Sequence, residues 1–291
     1  MAEPGPFMCC GRGNPAPRIG DMPLRSPSPG TVPPEGPLRL CGIDLPAGVH
    51  AGPIEDGGIV PLAWMTAEPV EPEPLLGWMR RLAAVFGQTG LWPVALAGHF
   101  DDLGNPWRSG ELLGPGRNSD FDVEDFLLSP TDPQDLADPE VAAYLETIAP
   151  IATVHRLGGP VAAPPAGADE LIVPWDGTDP LALGLVPATS PAGVLSGLGW
   201  LGPTNYALEG EAIARIAASW QERYHLTLVG IGFDMLKLQF PPQGLTGPEL
   251  MDLLAEVYRV CPDDYEQSSF RDLESYIDFR DLSPILGLWW D

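Results

Sequence analysis

The sequence is poor in basic residues. It has 15 Lys and Arg residues, of which Lys237 is the only lysine, against 40 Asp and Glu residues, and its formal net charge is −25. Because phosphate groups are bound by clustered Lys and Arg, this balance argues against nucleic acid and anionic membranes as partners. It is compatible with a basic protein partner and equally with a well-solvated acidic surface. The shortage of lysine, together with abundant Ala, Gly and Pro, is typical of GC-rich coding, so we expect a bacterial source.

The sequence also lacks long apolar runs and a cysteine framework. None of its apolar segments approaches the ~18 residues that a membrane span requires, and residues 1–36 have no apolar run of the signal-peptide kind. Four cysteines in 291 residues give no disulfide framework. We therefore expect a cytoplasmic protein without a membrane partner.

Recognisable catalytic motifs are missing as well. There is no G-x-S-x-G, and the pair Gly230 and Gly232 lacks the third glycine of a phosphate-binding loop. Cys261 follows a predicted helix, where the negative end of the helix dipole makes a thiol less reactive, so we interpret it as a buried structural cysteine. His225, between a helix and a strand, is interpreted as the residue that closes the helix. We predict no catalytic residue and no cofactor, and we lean towards a protein that is not an enzyme.

Metal-binding spacings are absent too. Four suitable ligands lack the C-x2-C and H-x3-H spacings of zinc sites, namely Cys9, Cys10, Cys41 and His50. The segment that begins Asp120-x-Asp122-x-Glu124 resembles the start of a calcium loop, but Asp125 and Thr131 stand at its sixth and twelfth positions. A calcium loop has Gly and Glu there, so we interpret this segment as an acidic, solvated loop and predict no metal site.

A helix followed by two strands forms the clearest pattern that the sequence does contain. Apolar residues recur at helical spacing over residues 209–224, a β-rich run covers 225–233, and apolar and polar residues alternate over 236–240. A helix over 74–86 before a short strand at 91–97 repeats this order. Two such units predict an α+β fold in which helices cover a mixed sheet.

The rest of the chain divides by composition. Residues 1–36 contain nine prolines and are predicted to be a disordered tail, because they bury too little apolar surface to offset the entropy of ordering them. Residues 37–160 form a predicted N-terminal α+β region with a further helix at 138–148, and a linker at 160–168 precedes a predicted C-terminal domain at 170–291. In this domain we expect strands at 171–173, 183–186 and 285–290, helices at 191–198 and 269–279, and a helix that starts at Thr246 with a capping box.

Polar residues at the ends of predicted elements form the candidate binding site. Asp234 lies at the bend between two strands, Asn205 just before the central helix, and Asp263 just after the helix that starts at Thr246. Such residues present a site in many scaffolds, and they also cap helices and close turns. We predict that Asn205, Asp234 and Asp263 share one polar cluster, whose role as a binding site or a structural cap stays open. Trp200, one of several tryptophans next to predicted elements, completes the candidate binding residues.

The C-terminal part resembles a bacterial protein family. The residues that carry the resemblance are Leu183-Gly-Leu-Val-Pro187, Leu198-Gly-Trp200, Thr204-Asn205-Tyr206, Trp220, Leu228-Val-Gly-Ile-Gly-Phe-Asp234, Cys261-Pro-Asp263 and Trp289-Trp290-Asp291, with Thr89-Gly-Leu-Trp-Pro93 upstream. Over roughly residues 183–291 they are similar to the "domain of unknown function 4253" family, which is common in actinobacteria. The chain departs from the family in the connection 267–284 and at Leu288, where a more aromatic ending is expected. The resemblance implies an actinobacterial-type protein and brings no activity with it.

These observations leave three functions open. The first is a non-enzymatic protein-binding module, such as an immunity protein that neutralises a basic toxin through charge complementarity. The second is an enzyme that acts on a small polar substrate, with the carboxylates of Asp234 and Asp263 at an aromatic-lined pocket. The third is a regulatory partner of a neighbouring gene product. We favour the first, with a basic protein as the partner, and assign no oligomeric state.

Overall fold

The structure of the protein is a computed structural model that describes residues 27–116, 120–129, 151, 156–173, 179–208, 210–270 and 272–290. Its strands are β1 (Gly36–Leu40), β2 (Ile43–Ala51), β3 (Ile54–Glu55), β4 (Gly58–Ile59), β5 (Ala63–Thr66), β6 (Leu91–Ala97), β7 (Leu181–Pro187), β8 (Thr227–Ile231), β9 (Met235–Gln239) and β10 (Ile285–Trp289). Its helices are α1 (Pro72–Ala83), α2 (Phe86–Thr89), α3 (Val123–Leu128), α4 (Gly193–Leu198), α5 (Glu211–Tyr224), α6 (Gly247–Val260), α7 (Asp263–Glu266) and α8 (Leu273–Leu282), with 3-10 helices at Ala168–Glu170 and Thr204–Tyr206.

Eight of these strands form one mixed sheet in the order β1-β2-β5-β7-β6-β8-β9-β10. Neighbouring strands in it are antiparallel except β6 and β8, which pair in parallel through Ala95 with Gly230 and Leu96 with Ile231. Every residue of β6 and β8 is buried, as expected for central strands that are covered on both faces. The predicted α+β fold, with a mixed sheet and covering helices, is confirmed.

Several helices begin and end as their local chemistry predicts. Helix α6 has the expected capping box, in which Thr246 N donates to the Glu249 carboxylate at 2.8 Å. Helix α5 ends at His225, whose left-handed φ of 56° confirms that this residue closes the helix. Asp122 accepts a hydrogen bond from Asp125 N at 2.9 Å and caps α3, so the predicted acidic loop in fact begins a helix. In the described ranges, none of the helices is long and apolar enough to cross a membrane.

Most of the other predicted elements are present with shifted ends. The strands expected at 91–97, 183–186 and 285–290 correspond to β6, β7 and β10, and the helices expected at 74–86, 191–198 and 269–279 correspond to α1, α4 and α8. The strand predicted at 171–173 is wrong, because Ile172 N donates to the Gln239 side chain at 3.0 Å instead of pairing with a strand. The helix predicted at 138–148 lies outside the described residues.

The folded part of the chain begins before the predicted end of the tail. Gly30 N donates to Gly90 O at 2.8 Å, Val32 packs against the hydrophobic core, and the Glu35 carboxylate accepts a hydrogen bond from His50 N at 3.0 Å. Residues 30–35 therefore contact the fold, and β1 follows directly. The sequence predicts that the tail extends to residue 36, and this prediction is wrong for residues 30–35. Residues 1–26 lie outside the described ranges.

Strands from both predicted regions alternate in the sheet. Strand β7, which follows the predicted linker at 160–168, lies between β5 and β6, and β6 in turn lies between β7 and β8. Buried residues from both sides of the linker also belong to one hydrophobic cluster. The region predicted at 37–160 and the domain predicted at 170–291 therefore share a sheet and a core.

A buried carboxylate joins helices α5 and α6. Glu256 accepts hydrogen bonds at Oε1 from Tyr224 Oη (2.8 Å), Gly158 N (3.2 Å) and Arg223 Nη1 (2.6 Å), and at Oε2 from Trp220 Nε1 (2.8 Å) and Arg223 Nη2 (2.5 Å). These donors satisfy a charge that is costly to bury alone. Trp220 is fully buried, as expected for a core residue, and its indole N–H is part of this network.

Candidate functional site

Five strand ends meet at one edge of the sheet. Because β6 and β8 are parallel, both end there, and their antiparallel neighbours β7 and β9 begin there. Strand β10 also ends at this edge, since Trp289 pairs with Met235 at the start of β9. The side chains next to these ends form a surface that we call the aromatic–acidic patch, and it consists of His99, Phe100, Asp179, Phe233, Asp234 and Trp289.

A tight turn after β6 presents Phe100 to solvent. The N and O atoms of His99 pair with the O and N atoms of Asp102, each at 3.0 Å, and the central residues Phe100 (φ 49°) and Asp101 (φ 62°) are both left-handed. This is the backbone of a type I′ turn, which Gly, Asn or Asp normally supplies. Gly98 is needed before it, because a Cβ there would lie 2.5 Å from Asp102 O. Phe100 is 84% exposed, so a bulky residue adopts a strained conformation without gaining burial.

Three rings stack beside this turn. The centroid of the His99 ring lies 3.9 Å from that of Phe100 at an interplanar angle of 45°, and 4.5 Å from that of Phe233 at 13°. Phe233 follows β8 and His99 follows β6, so the parallel pairing of these strands brings the two rings together. The result is an aromatic surface of which Phe100 is the most exposed part.

The carboxylate of Asp234 lies close to this stack. Trp289 Nε1 donates to Asp234 Oδ2 at 3.0 Å, and Trp290 N donates to the backbone oxygen of Asp234 at 3.1 Å. Burial raises the pKa of Asp234, while the hydrogen bond from Trp289 and the proximity of His99 lower it and Asp179 raises it. The net shift is upward, because the desolvation of the charge outweighs the groups that stabilise it. An added cation would therefore stabilise the ionised form of this carboxylate.

Trp200 is a core residue and not part of the exposed surface. It is fully buried, its Nε1 donates to Gly232 O at 2.9 Å, and its ring packs edge-on against Trp290 with centroids 5.7 Å apart. Gly232 lies in the turn between β8 and β9 that carries Asp234. Trp200 thus hydrogen bonds to this turn from the core and does not reach solvent.

Asp263 lies in a second polar cluster with Tyr206 and Gln267. Asp263 is buried at the start of α7, hydrogen bonds the side chain of Tyr206, and accepts a hydrogen bond from Gln267 Nε2 at 3.0 Å. Burial and the neighbouring Asp263 raise the pKa of Tyr206, so its hydroxyl stays a donor. Asn205 precedes Tyr206 in the 3-10 helix and is exposed. A single cluster of Asn205, Asp234 and Asp263 remains a prediction.

The last strand connects this second cluster to the aromatic–acidic patch. Cys261 Sγ donates to the backbone oxygen of Trp289 at 2.8 Å, while the indole of Trp289 holds Asp234. Cys261 is fully buried, and this burial is the main reason why the pKa of its thiol is raised. The interpretation of Cys261 as a structural cysteine is confirmed.

Sequence reasoning alone predicts only Asp234 among the residues of the patch. It misses the other five, which are His99, Phe100, Asp179, Phe233 and Trp289. A local signal could have placed His99 and Phe100 in a tight turn. They stand between Gly98 and the pair Asp101 and Asp102, a composition typical of such turns. Their proximity to Asp234 has no local signal, because it depends on the pairing of strands that are far apart in the sequence.

Comparisons with known proteins characterise only the C-terminal part. Residues 182–291 match the model of a family described as a domain of unknown function, DUF4253, in agreement with the resemblance found over residues 183–291. Neither the curated proteins nor the solved structures include a match to the chain. The matched segment begins within β7 and includes β8, β9 and β10, so Phe233, Asp234 and Trp289 lie inside it. His99, Phe100 and Asp179 precede it, and β6 completes the sheet from outside the matched segment.

Proposed function

We propose that the protein is a non-enzymatic protein-binding module, and that its aromatic–acidic patch accepts a basic side chain of a protein partner. The observation that supports this most directly is the position of Phe100, which is 84% exposed at the tip of a left-handed turn. Strained conformations of this kind cluster at functional sites, and aromatic anchors contribute much of the binding energy at protein interfaces.

The chemistry of the patch favours a guanidinium or ammonium group as the ligand. The faces of Phe100 and Phe233 provide negative ring potential for a cation, and the carboxylates of Asp234 and Asp179 provide charged hydrogen-bond acceptors. Burial raises the pKa of Asp234, which means that the protein stabilises the ionised carboxylate less well than water does. A bound cation would supply this stabilisation. Arginine suits this combination best, since its planar group both stacks on rings and pairs with carboxylates.

The overall charge supports a basic partner. A net charge of −25 steers a basic protein towards the acidic surface and raises the association rate at low salt. We also propose that this module acts in the cytoplasm of an actinobacterial-type bacterium. The lysine-poor, Ala-, Gly- and Pro-rich composition supports the bacterial source. In this role the module binds a basic protein, either to neutralise it as an immunity protein does or to regulate it.

Fluorescence anisotropy with a labelled hexa-arginine peptide tests this proposal. We expect the full-length protein to bind the peptide, and we expect Phe100→Ala and Asp234→Asn each to weaken binding by about tenfold, the order of one cation–π contact or one charge-assisted hydrogen bond. The salt dependence of binding should fall in Asp234→Asn and stay unchanged in Phe100→Ala, because only the first variant removes a charge.

Two matched variants control for general effects. Leu282→Ala removes an apolar side chain that is also largely exposed, and Glu55→Gln removes an exposed carboxylate on β3, which belongs to the two-stranded sheet and not to the eight-stranded one. Both should bind the peptide like the unmodified protein. If the patch variants bind as tightly as these controls, the peptide is attracted only by net charge and the proposed site is wrong.

A further inference from the structure

A cleft beside the last strand contains an unusual concentration of positive charge. It has a volume of about 470 Å³ and lies between β9, β10 and α8. The only lysine of the chain, Lys237, and Arg280 both line it. Asp264, the ion-pair partner of Arg280, lines it as well, so two cations and one carboxylate meet at this cleft in a protein with a net charge of −25.

Arg280 is held rigidly in the wall of this cleft. It is 5% exposed, its Nη2 donates to the Asp264 carboxylate and to Gly287 O, the latter at 3.1 Å, and its guanidinium lies 5.3 Å from the centroid of the Tyr276 ring. Tyr276 Oη donates to the same Asp264 at 2.7 Å. Asp264 therefore already has two donors, and the guanidinium is fixed in place before any ligand arrives.

The Nε–H of Arg280 is the second informative feature. Within the described part of the chain, this buried atom has no hydrogen-bond acceptor. Buried polar groups almost always have a partner, and one that has none needs an explanation such as a missing ligand or water. An acceptor oxygen of a bound anion would satisfy this donor.

Lys237 and Arg280 converge on the same residue of β10. Gly287 pairs with Lys237 in the sheet, and a Cβ built on Gly287 would lie 2.8 Å from Lys237 Nζ. The lysine side chain thus lies over Gly287, whose carbonyl oxygen accepts the hydrogen bond from Arg280. The absence of a side chain at this position lets both cations face the same space.

Apart from Asp264 and Ser283, the remaining walls of the cleft are largely apolar and partly accessible. Phe279 and Trp289 line it and are 49% and 37% exposed, respectively, and Ile172, Ile285 and Leu288 complete the apolar lining. A ligand that fits must therefore combine an anionic group with an apolar body. Binding sites for small molecules commonly combine an apolar lining with a few placed polar groups.

We propose that this cleft binds a small organic anion, whose carboxylate or phosphate group is held by Lys237 and Arg280 and whose apolar or aromatic body lies against Phe279 and Trp289. This site is separate from the cation-accepting surface at Phe100 and Asp234, and it takes a ligand of the opposite charge. Trp289 borders both sites, because its indole N–H holds Asp234 while its side chain lines the cleft.

Ligand-observed NMR titration of the full-length protein with benzoate and with benzamide tests the proposal. Benzamide has nearly the same shape as benzoate and no charge. We expect benzoate to bind at least about tenfold more tightly than benzamide, as one charge-assisted hydrogen bond predicts. Lys237→Met keeps the length of the side chain and should abolish most of this preference. Arg81→Met removes a cation from the exposed face of α1 and should change nothing.

A second variant keeps all charges in place. Gly287→Ala puts a methyl group 2.8 Å from Lys237 Nζ, so the ammonium group must shift from its present position and benzoate binding should weaken. Equal binding of benzoate and benzamide would overturn the proposal, and so would benzoate binding by Lys237→Met and Gly287→Ala at the level of the unmodified protein. None of these variants touches Phe100 or Asp234, so the result is independent of the proposed protein-binding function.

Discussion

The buried carboxylate of Glu256 gives the sharpest prediction about stability. Glu256→Gln keeps the size of the side chain and removes its charge. Five hydrogen bonds from four residues reach this carboxylate, two of them from Arg223. In any orientation, the new amide NH₂ group faces at least two donors that previously had an acceptor, so at least one buried donor loses its partner.

The expected cost follows from the two consequences of this change. If the NH₂ group replaces Oε2, the indole N–H of Trp220 is left without an acceptor, at about 1–3 kcal/mol, and the charged hydrogen bonds of Arg223 weaken by about 1.5–3 kcal/mol. If it replaces Oε1, more donors are lost. Breaking a buried ion pair from one side costs about 3–5 kcal/mol in other proteins. We therefore expect the free energy of unfolding to fall by about 3–5 kcal/mol.

Urea denaturation measures this change, with Asp252→Asn as the matched control. Asp252 lies on the same helix α6 and pairs with Arg156 at 2.5 Å, but the Arg156 side chain is 65% exposed. The Asp252 side chain is 17% exposed, but its cationic partner lies largely in solvent. An ion pair screened in this way contributes about 0–1 kcal/mol, so the control should unfold almost like the unmodified protein. A loss below about 1 kcal/mol for Glu256→Gln, or one equal to the control, would show that the network does not stabilise the contact between α5 and α6.

Two further predictions concern titratable groups. Because burial raises the pKa of Asp234 in the folded state, ionisation of this residue opposes folding, and the penalty appears as the pH rises from the unfolded value of about 3.9 through the raised folded value. Asp234→Asn should therefore be more stable than the unmodified protein at pH 7, and the difference in free energy of unfolding should vanish at about pH 3; a difference that is constant with pH would contradict this. Burial also raises the pKa of the Cys261 thiol, whose Sγ donates to Trp289 O, so we expect it to be unreactive in the folded protein. Cys261→Ala should leave the number of thiols titrated by Ellman's reagent unchanged under native conditions and lower it by one in denaturant, whereas a lower native count would mean that the thiol is accessible.

The sequence is informative where the structure is local. The helix at 211–224 and the strand β9 follow from periodicity, because each buries one side of a regular element, and β8 follows from its β-rich composition. The capping box at Thr246 and the closing of α5 at His225 follow from chemistry within a few residues of each helix end. Even so, Asp122 shows a limit of local reasoning, since its acidic neighbourhood fits both a solvated loop and the start of a helix.

The pairing of β6 with β8 has no equivalent local signal. The two strands are separated by more than a hundred residues that include β7, and an apolar run of either strand fits several neighbours equally well. His99 and Asp234 approach each other only because this pairing is parallel. The same limit hides Glu256, which is polar in the sequence and is buried only because α5 supplies Arg223, Tyr224 and Trp220 from a separate segment.

The error at residues 171–173 has a related cause. Leu171 is buried and the two residues after it, Ile172 and Val173, are β-branched, so the segment has the composition of a strand. Its backbone instead uses the side chain of Gln239, which accepts a hydrogen bond from Ile172 N at 3.0 Å and donates to Glu170 O at 2.8 Å. A side chain that replaces a strand as the partner of a backbone cannot be inferred from periodicity.

Backbone amide chemical shifts can show whether the aromatic–acidic patch is the binding surface. On titration of the isotope-labelled full-length protein with hexa-arginine, we expect the largest shifts at residues 98–102, at Phe233 and Asp234, and at Trp289. We also expect these shifts to disappear in Phe100→Ala. Shifts of similar size distributed over the exposed acidic residues of α1, α3 and α8, with none concentrated at the patch, would contradict this expectation.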